Sequence, residues 1–547
     1  MAKDEIPPGI GKAVSRRALA LICIVVAICI NSVFRGLQQG EGFNSLLAAE
    51  TIGFTLNETS SHYYQQSHEK GRLLGGSTAE TIVFTQFEET VRETTRLLYA
   101  DSPHLSTWLD APLPKIYIYD NLEESWSNLT NISASVEARF AVPSTAYNFT
   151  GCSWYPHICD KAQKGPVHPK VPLYLDYKTN YNADAAHLRW FENYPYLTSN
   201  ATAADLFVVP FPQRSYALTR FNFRRQKGDL TREDIQKHVH KKLSYLNQYP
   251  TRHLYLHGGG LGELTSLPFY NSLNMSDKVT LSYGPAIPCF KRFDRPCGHV
   301  VVPMLDVRND YQPPVIKEKL TEGNFVLRDR TFAVGARIGV SPVMKLRHAI
   351  SSNVSHYVPK RIGGLPTLAT FISARGKTTK RHAGGLTITE LYRSSTFCLI
   401  LPGDATWQKR FFDVMLNGCI PLVPSFFPSN ERDTKYVTFY RWRGHPSTRT
   451  TYPWSKGIFF GDDDAGIDYM DLVLPFDGYN PYPSLAETVE RTLQNVTEVH
   501  RLRRNIMKFV QLFTHGLDDN MYRYADAFTA TLVALRHYVH SLDGKLP

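Results

Sequence analysis

Cysteine is scarce in this chain, eight in 547 residues, and the eight do not fall at the spacings of a zinc site. A zinc-built module is excluded. No basic run exceeds a few residues, although Lys and Arg outnumber Asp and Glu by 61 to 50. The continuous stripe of a nucleic-acid binder is therefore missing, and the positive excess suits acidic small molecules, glycans or solubility alone. No internal repeat is evident, which leaves out repeat arrays. Long hydrophobic runs are also missing after residue 34, so any further apolar surface must be buried in a globular core. With 43% apolar and 12% aromatic residues there is ample material for one, and the length favours two domains and an appendage.

The one long apolar run present is Ala18–Phe34, in which only Asn31 and Ser32 are clearly polar. At about 1.5 Å per residue it spans roughly 25 Å, enough for a thin bilayer. Lys3, Lys12, Arg16 and Arg17 precede it and only Arg35 follows closely. This bias puts residues 1–17 in the cytosol, makes 18–34 a signal anchor, and sends the rest into the secretory lumen, a single-pass type II arrangement. The competing reading is a cleaved signal peptide, because Ala18–Ile30 has signal-like length. Eight Asn-x-Ser/Thr sequons follow the run, at Asn57, Asn128, Asn131, Asn148, Asn200, Asn274, Asn353 and Asn495, as lumenal exposure would allow. Cys23 and Cys29 lie inside the run. Of the other six, Cys152 with Cys159 and Cys289 with Cys297 are close enough to close small loops, and two local disulfides are expected. For Cys398 and Cys419, buried thiols and a cross-strand bridge are both open.

Residues 35–112 read as a largely polar stem with one amphipathic helix, about Glu80 to Tyr99. Strand-like segments then recur at Lys115–Tyr119, Leu206–Pro210, His253–His257 and His299–Pro303, an α/β domain over 113–315. A second series follows over 316–515: Thr331–Val334, Leu368–Ser373, Phe397–Leu401, Ile420–Val423, Ile458–Phe460 and Leu472–Leu474. Leu502, Ile506, Phe509, Val510 and Phe513 share one helical face. Ala525, Phe528, Leu532, Leu535 and Val539 share another, so 516–547 ends the chain as a helix.

The segment Thr396–Pro424 is the most informative. It reads as a buried strand, a Pro402-Gly403 break, a helix capped by Asp404, a left-handed stop at Gly418, and a second strand. Trp407, Phe411, Val414 and Met415 form the apolar stripe of that helix, and Thr406, Arg410, Asp413 and Asn417 form a polar one beside it. A helix that begins just past the carboxyl end of a parallel strand offers free backbone N–H groups and partial positive charge, and Arg410 can lean back toward an anion there. A nucleotide diphosphate fits. The bland alternative is a surface ion pair between Arg410 and Asp413.

These residues resemble the exostosin family of glycosyltransferases. The shared pattern is carried by Ser395, Phe397, Cys398 and Leu399, then Gly403 and Asp404, then Arg410, Phe412 and Asp413, then Gly418 to Pro421. Leu401 stands where the family has proline. Fainter likenesses occur at Lys115–Asp120, Ala204–Phe211, Arg330–Gly335 and Arg347. Around Thr251-Arg-His253 and His257–Gly260 the chain departs from the family's pattern, and 426–468 has no clear counterpart.

The resemblance implies a GT-B fold, two Rossmann-like domains with a cleft between them. It also implies a Golgi type II enzyme that moves a hexose or pentose from a UDP-sugar to a polysaccharide or glycoprotein glycan, with inversion and no required cofactor. Homo- or hetero-oligomers are compatible with it, and a non-catalytic partner subunit is the alternative. Arg410 and the backbone of Gly403, Asp404, Ala405 and Thr406 are expected on the diphosphate, with Arg337 as a second cation in the turn after the first donor-domain strand. Asp413 would bond a donor hydroxyl or hold Arg410. Base candidates are His253, His257 and Asp120. The rival signal is Asp462-Asp463-Asp464, where Asp462 and Asp464 have the spacing of a metal-holding pair; an exposed acidic loop is the favoured reading.

Overall fold

The strands described in the first half of the chain are short and mostly apolar, and a sheet covered on both faces is where such runs belong. In a computed structural model, which describes residues 78–119, 183–210, 240–256, 279–282, 299–303, 309–340, 345–373, 386–401, 409–425, 453–456, 464–478, 480–516 and 520–544, they form one parallel sheet. All of these residues belong to one compact unit, Ser77–Pro547. Two helices lead in, α1 (Thr78–Leu98) and α2 (Leu105–Asp110), followed by β1 (Ile116–Ile118), α3 (Ala183–Glu192), β2 (Leu206–Val209), β3 (His253–Leu256), β4 (Val279–Ser282) and β5 (His299–Val301). Every neighbouring pair is parallel, in the order β1-β2-β3-β4-β5. Among the described strands each step goes in the same direction, from β1 at one edge to β5 at the other. Among the described residues it is a parallel α/β sheet, as a Rossmann-like domain requires.

The second half runs α4 (Pro313–Lys319), β6 (Phe332–Val340), α5 (Lys345–Ser352), α6 (Val354–Tyr357), the small hairpin β7 (Arg361–Ile362) and β8 (Leu365–Pro366), β9 (Leu368–Ser373), α7 (Ile388–Arg393), β10 (Ser395–Leu399), α8 (Lys409–Leu416), β11 (Ile420–Ser425), β12 (Leu474–Asp477), α9 (Pro481–Gln494) and α10 (Val496–Phe509). Its large sheet is also parallel, with order β12-β11-β10-β6-β9. In chain order that is 2-1-3-4-5. The chain goes from β6 to β9 on one side, then crosses back to β10 on the other, which makes the β6/β10 border a topological switch point. In open α/β sheets, the crevice beyond the carboxyl ends of the strands at such a point is where ligands sit. The two sheets, flanked by helices, make a mixed α/β protein whose architecture fits a GT-B-like glycosyltransferase.

Close packing at that border explains one glycine. A Cβ added at Gly335 would stand 2.1 Å from Ser395 Oγ, so only glycine lets β6 lie against the start of β10.

The last helix, α11 (Ala527–Leu542), returns to the first half. Thr94 Oγ1 donates to Thr529 Oγ1 at 2.9 Å, Tyr99 OH meets His537 Nδ1 at 3.0 Å, and Arg536 donates to Thr95 Oγ1 at 2.9 Å and Ala111 O at 3.2 Å. Phe87, Val91 and Leu98 on α1 join the same buried cluster as Phe528, Leu532 and Leu535 on α11. The compact unit therefore takes in α1, which the sequence reading assigns to the stem. Among the described residues no helix is long and apolar enough to cross a membrane. Ala18–Phe34 lies outside them, as do Cys152, Cys159, Cys289, Cys297 and the sequons at Asn57, Asn128, Asn131, Asn148 and Asn274.

Candidate functional site

The site is built on α8 and its two flanking strands. Phe397 pairs in register with Ile420, and a disulfide joins Cys398 to Cys419, closing β10, α8 and β11 into a covalent loop. Of the two states left open for these cysteines, the bridge is the one present. The helix stops at Gly418, whose φ is 68°, with Cys419 N donating to Val414 O at 3.0 Å. A Cβ on Gly418 would come within 2.6 Å of Arg330 Nη2.

Almost all of α8 is buried, and this changes the meaning of its polar stripe. Phe411, Phe412, Val414, Met415 and Leu416 are buried, but so are Asp413 and Asn417, at 7% and 6% exposure. A surface ion pair is thereby ruled out for Asp413. Its carboxylate accepts from Lys409 Nζ at 2.8 and 3.0 Å, an i, i+4 pair, so Asp413 is engaged by lysine rather than by Arg410. Asn417 serves the carboxyl end of the helix: its Nδ2 donates to Tyr311 OH and Asp413 O, both at 2.7 Å, and its Oδ1 accepts from Arg393 Nε at 3.2 Å. Arg330 completes this end by donating to the carbonyls of Arg393, Asn417 (3.2 Å) and Gly418 (3.3 Å). A cation at a helix carboxyl terminus complements the dipole. Burial, helped by Arg503, Arg328 and Arg393, pushes the Arg330 guanidinium down to about 9.

The other end of α8 is different. Arg410 Nη1 is buried with no hydrogen-bond partner among the described residues, and the buried hydroxyl of Tyr392, on α7, is in the same condition. The two groups are close enough to act on each other. Burial pushes the Tyr392 phenol above its ordinary range, while Arg410 beside it pulls the other way and Asp413 reinforces burial. Two buried donors left unmatched cost free energy unless something else accepts from them. An oxyanion would.

Arg347, on α5, spans the switch point itself. It donates through Nη1 to Gly339 O near the end of β6 at 3.1 Å, and through Nη2 to Leu401 O just past β10 at 3.3 Å. The sequence marks Arg347 only through the exostosin resemblance and gives Tyr392 no role. A local signal for Tyr392 was present: Thr387 and Glu390 form a capping box, Thr387 Oγ1 accepting from Glu390 N at 3.2 Å, and that box announces the helix carrying it.

The remaining sequence candidates separate. Arg337 is not in a turn: β6 continues to Val340, because Ala336 and Ile338 stay buried, and Arg337 is an exposed strand residue in register with Thr370. His253 stands at the amino end of β3, fully buried, with Nε2 2.8 Å from Tyr119 OH, Nδ1 2.8 Å from Tyr249 O, and its ring stacked on Phe207 at 5.0 Å. Both nitrogens are occupied and no solvent reaches them, so His253 is a packed pin of the first sheet. Asp464 pairs with Lys456 at 3.8 Å. His257, Asp120, Gly403, Asp404, Ala405, Thr406 and Asp462 lie outside the described residues.

Residues 351–431, which contain β9, α7, β10, α8 and β11, match the family model of the Exostosin GT47 domain. The chain is exostosin-like over this segment, which holds β10, the later strand of the switch point, and the disulfide-closed loop, while β6 lies just before it. Two curated relatives from Arabidopsis thaliana align with parts of the chain. One, "Xyloglucan-specific galacturonosyltransferase 1", is 29% identical over 87 residues, 16% of this chain and 11% of the relative. The other, "Xyloglucan galactosyltransferase MUR3", is 25% identical over 173 residues, 27% of this chain and 26% of the relative. The alignments thus span about a tenth and a quarter of the two relatives' lengths.

Proposed function

We propose that this chain is a glycosyltransferase that moves a sugar from a UDP-sugar onto a polysaccharide or glycoprotein glycan, working as a type II protein in the Golgi lumen. The observation that carries the reading is Arg410: a buried guanidinium nitrogen with no hydrogen-bond partner among the described residues, beside a Tyr392 hydroxyl in the same condition, on the helix that leaves the switch-point strand. Sugar transfer leaves a nucleoside diphosphate behind, and its developing negative charge is the demand that fixed cationic donors in a dry site meet best. Arg410 would bond the departing diphosphate, the backbone at Gly403–Thr406 would add N–H donors, and Arg347 would hold the two strand ends in place. Lys409 keeps Asp413 from neutralising Arg410. Inversion needs a base on the acceptor side, for which His257 and Asp120 are the remaining candidates. The relatives' names supply the activity class and a glycan acceptor. The lumenal address is supported by the apolar run with its charge bias and by the Cys398–Cys419 bridge, since such bonds persist in oxidising compartments.

The test is binding and transfer by correctly folded Arg410→Ala. If UDP binding and transfer both survive, the assignment of the donor site is wrong. A non-catalytic partner subunit is the second reading, and the closed-off His253 favours it. Donor hydrolysis that appears only when another chain is added would support that alternative over the first.

A further inference from the structure

Of the three sequon asparagines among the described residues, Asn353 makes no side-chain cap hydrogen bond, and the other two differ from non-sequon asparagines in how their amide atoms are used. Asn417, Asn480 and Asn505 each donate Nδ2 to a protein oxygen: Tyr311 OH and Asp413 O for Asn417, Asp477 Oδ2 for Asn480, Asp471 O for Asn505. Asn200 and Asn495 do the reverse. The Asn200 Oδ1 accepts from Thr202 N at 3.0 Å and from Thr202 Oγ1 at 2.7 Å, capping the short turn Ala201–Ala203. The Asn495 Oδ1 accepts from Glu498 N at 3.2 Å, capping α10. Both residues are exposed, as are Thr202 and Thr497. In each, the oxygen is committed to the fold and no described group accepts from the nitrogen.

That division of labour matches one modification. We propose that Asn200 and Asn495 are N-glycosylated cap residues, in which Oδ1 holds the backbone and Nδ2 carries an oligosaccharide. The donor class is a lipid-diphosphate-linked oligosaccharide. The bond between its anomeric carbon and the diphosphate oxygen breaks, a bond from that carbon to Nδ2 forms, one amide proton is lost, and the lipid diphosphate leaves. The product amide keeps its carbonyl oxygen and one N–H, so the cap hydrogen bonds survive the reaction. Aspartate, serine or threonine would cap as well but could not accept the sugar in this way, which gives asparagine a reason to stand at both places.

This inference rests on the lumenal address, and the experiment separates the two. The full chain, expressed in secretory-competent eukaryotic cells, is treated with peptide N-glycosidase in heavy-oxygen water and mapped by peptide mass spectrometry. Label at Asn200 and Asn495 is expected, and Thr202→Ala and Thr497→Ala should each remove one glycan's mass. Label at other sequons but at neither of these two overturns the proposal and leaves the address standing. No label at any of the eight overturns both. The cap arm uses Asn495→Asp and Asn495→Ala. After the same glycosidase treatment, which itself turns a glycosylated asparagine into aspartate, the aspartate variant should melt about 1 °C above the alanine variant; equal melting temperatures for the two variants overturn the dual role.

Discussion

Replacing Cys398 and Cys419 by alanine together removes the bond that closes α8 into its loop, and the cost follows from loop length. The two cysteines are 21 positions apart, so the closed loop holds about 22 residues and the chain-entropy relation gives roughly −11 cal/mol/K, or about 3.4 kcal/mol at 25 °C. Both sulfurs are fully buried, and losing them adds a cavity term of about 1 kcal/mol or more. A total near 4 kcal/mol is a large fraction of the 5–15 kcal/mol typical of a native domain. The assay is urea denaturation of the wild type with and without reductant, beside the double variant, followed by fluorescence, with UDP binding measured on each. Reductant should move the wild-type transition toward the variant's and leave the variant's unchanged. A wild type indifferent to a reductant that demonstrably opens the bond would refute the reasoning, because the bridge would then constrain nothing the unfolded chain explores.

Four further outcomes are expected. Arg410→Ala should weaken UDP by about 10- to 100-fold, the worth of a charge-assisted hydrogen bond, and Arg410→Lys should recover only part, as titration calorimetry would read. Tyr392→Phe removes a buried hydroxyl that has no hydrogen-bond partner among the described residues, so its melting temperature should hold or rise while UDP affinity falls; a stability loss instead would make the hydroxyl structural. Gly418→Ala meets both a φ of 68° and Arg330 Nη2 at 2.6 Å, and should cost about 1–3 kcal/mol in thermal unfolding. Asp526, fully buried at the α11 cap, is pushed up to about 7 by burial against the pull of three backbone N–H groups. A carboxyl raised above its unfolded value binds its proton earlier in the fold, so between about pH 4 and 7 wild-type stability relative to Asp526→Asn should rise as pH falls; a flat or opposite difference in melting temperature would count against this.

The second half of the chain was legible because its strands are continuous apolar runs with glycine punctuation. Leu368–Ser373 was placed as observed, and Phe397–Leu401 and Ile420–Val423 within two residues. β4 escaped because Thr280 and Ser282 break its apolar run, leaving Val279 and Leu281 as the signal. Strand order escaped entirely: which strand neighbours which is a tertiary fact, and the switch point that locates the crevice comes from it. The polar stripe of α8 was found and its setting misjudged, since periodicity reports that two faces differ and says nothing of whether the polar one meets water or Tyr311, Tyr392 and Arg393. His253 shows the same limit. A histidine at a strand end has one spelling whether it faces a cleft or is pinned between Tyr119 and Tyr249.

The contact between α1 and α11 also orders events in time. Thr94 and its partner Thr529 are 435 residues apart, and at roughly 5–20 residues per second the ribosome needs about 20–90 s to bring the second after the first. For that interval the apolar face of α1, with Phe87, Val91 and Leu98, has left the ribosome and lacks the helix that covers it. Newly made protein therefore depends on whatever shelters that stripe until α11 arrives, and a premature stop anywhere before Ala527 leaves Val91 and Leu98 without that helix while Phe87 keeps the rings of Tyr194 and Tyr196.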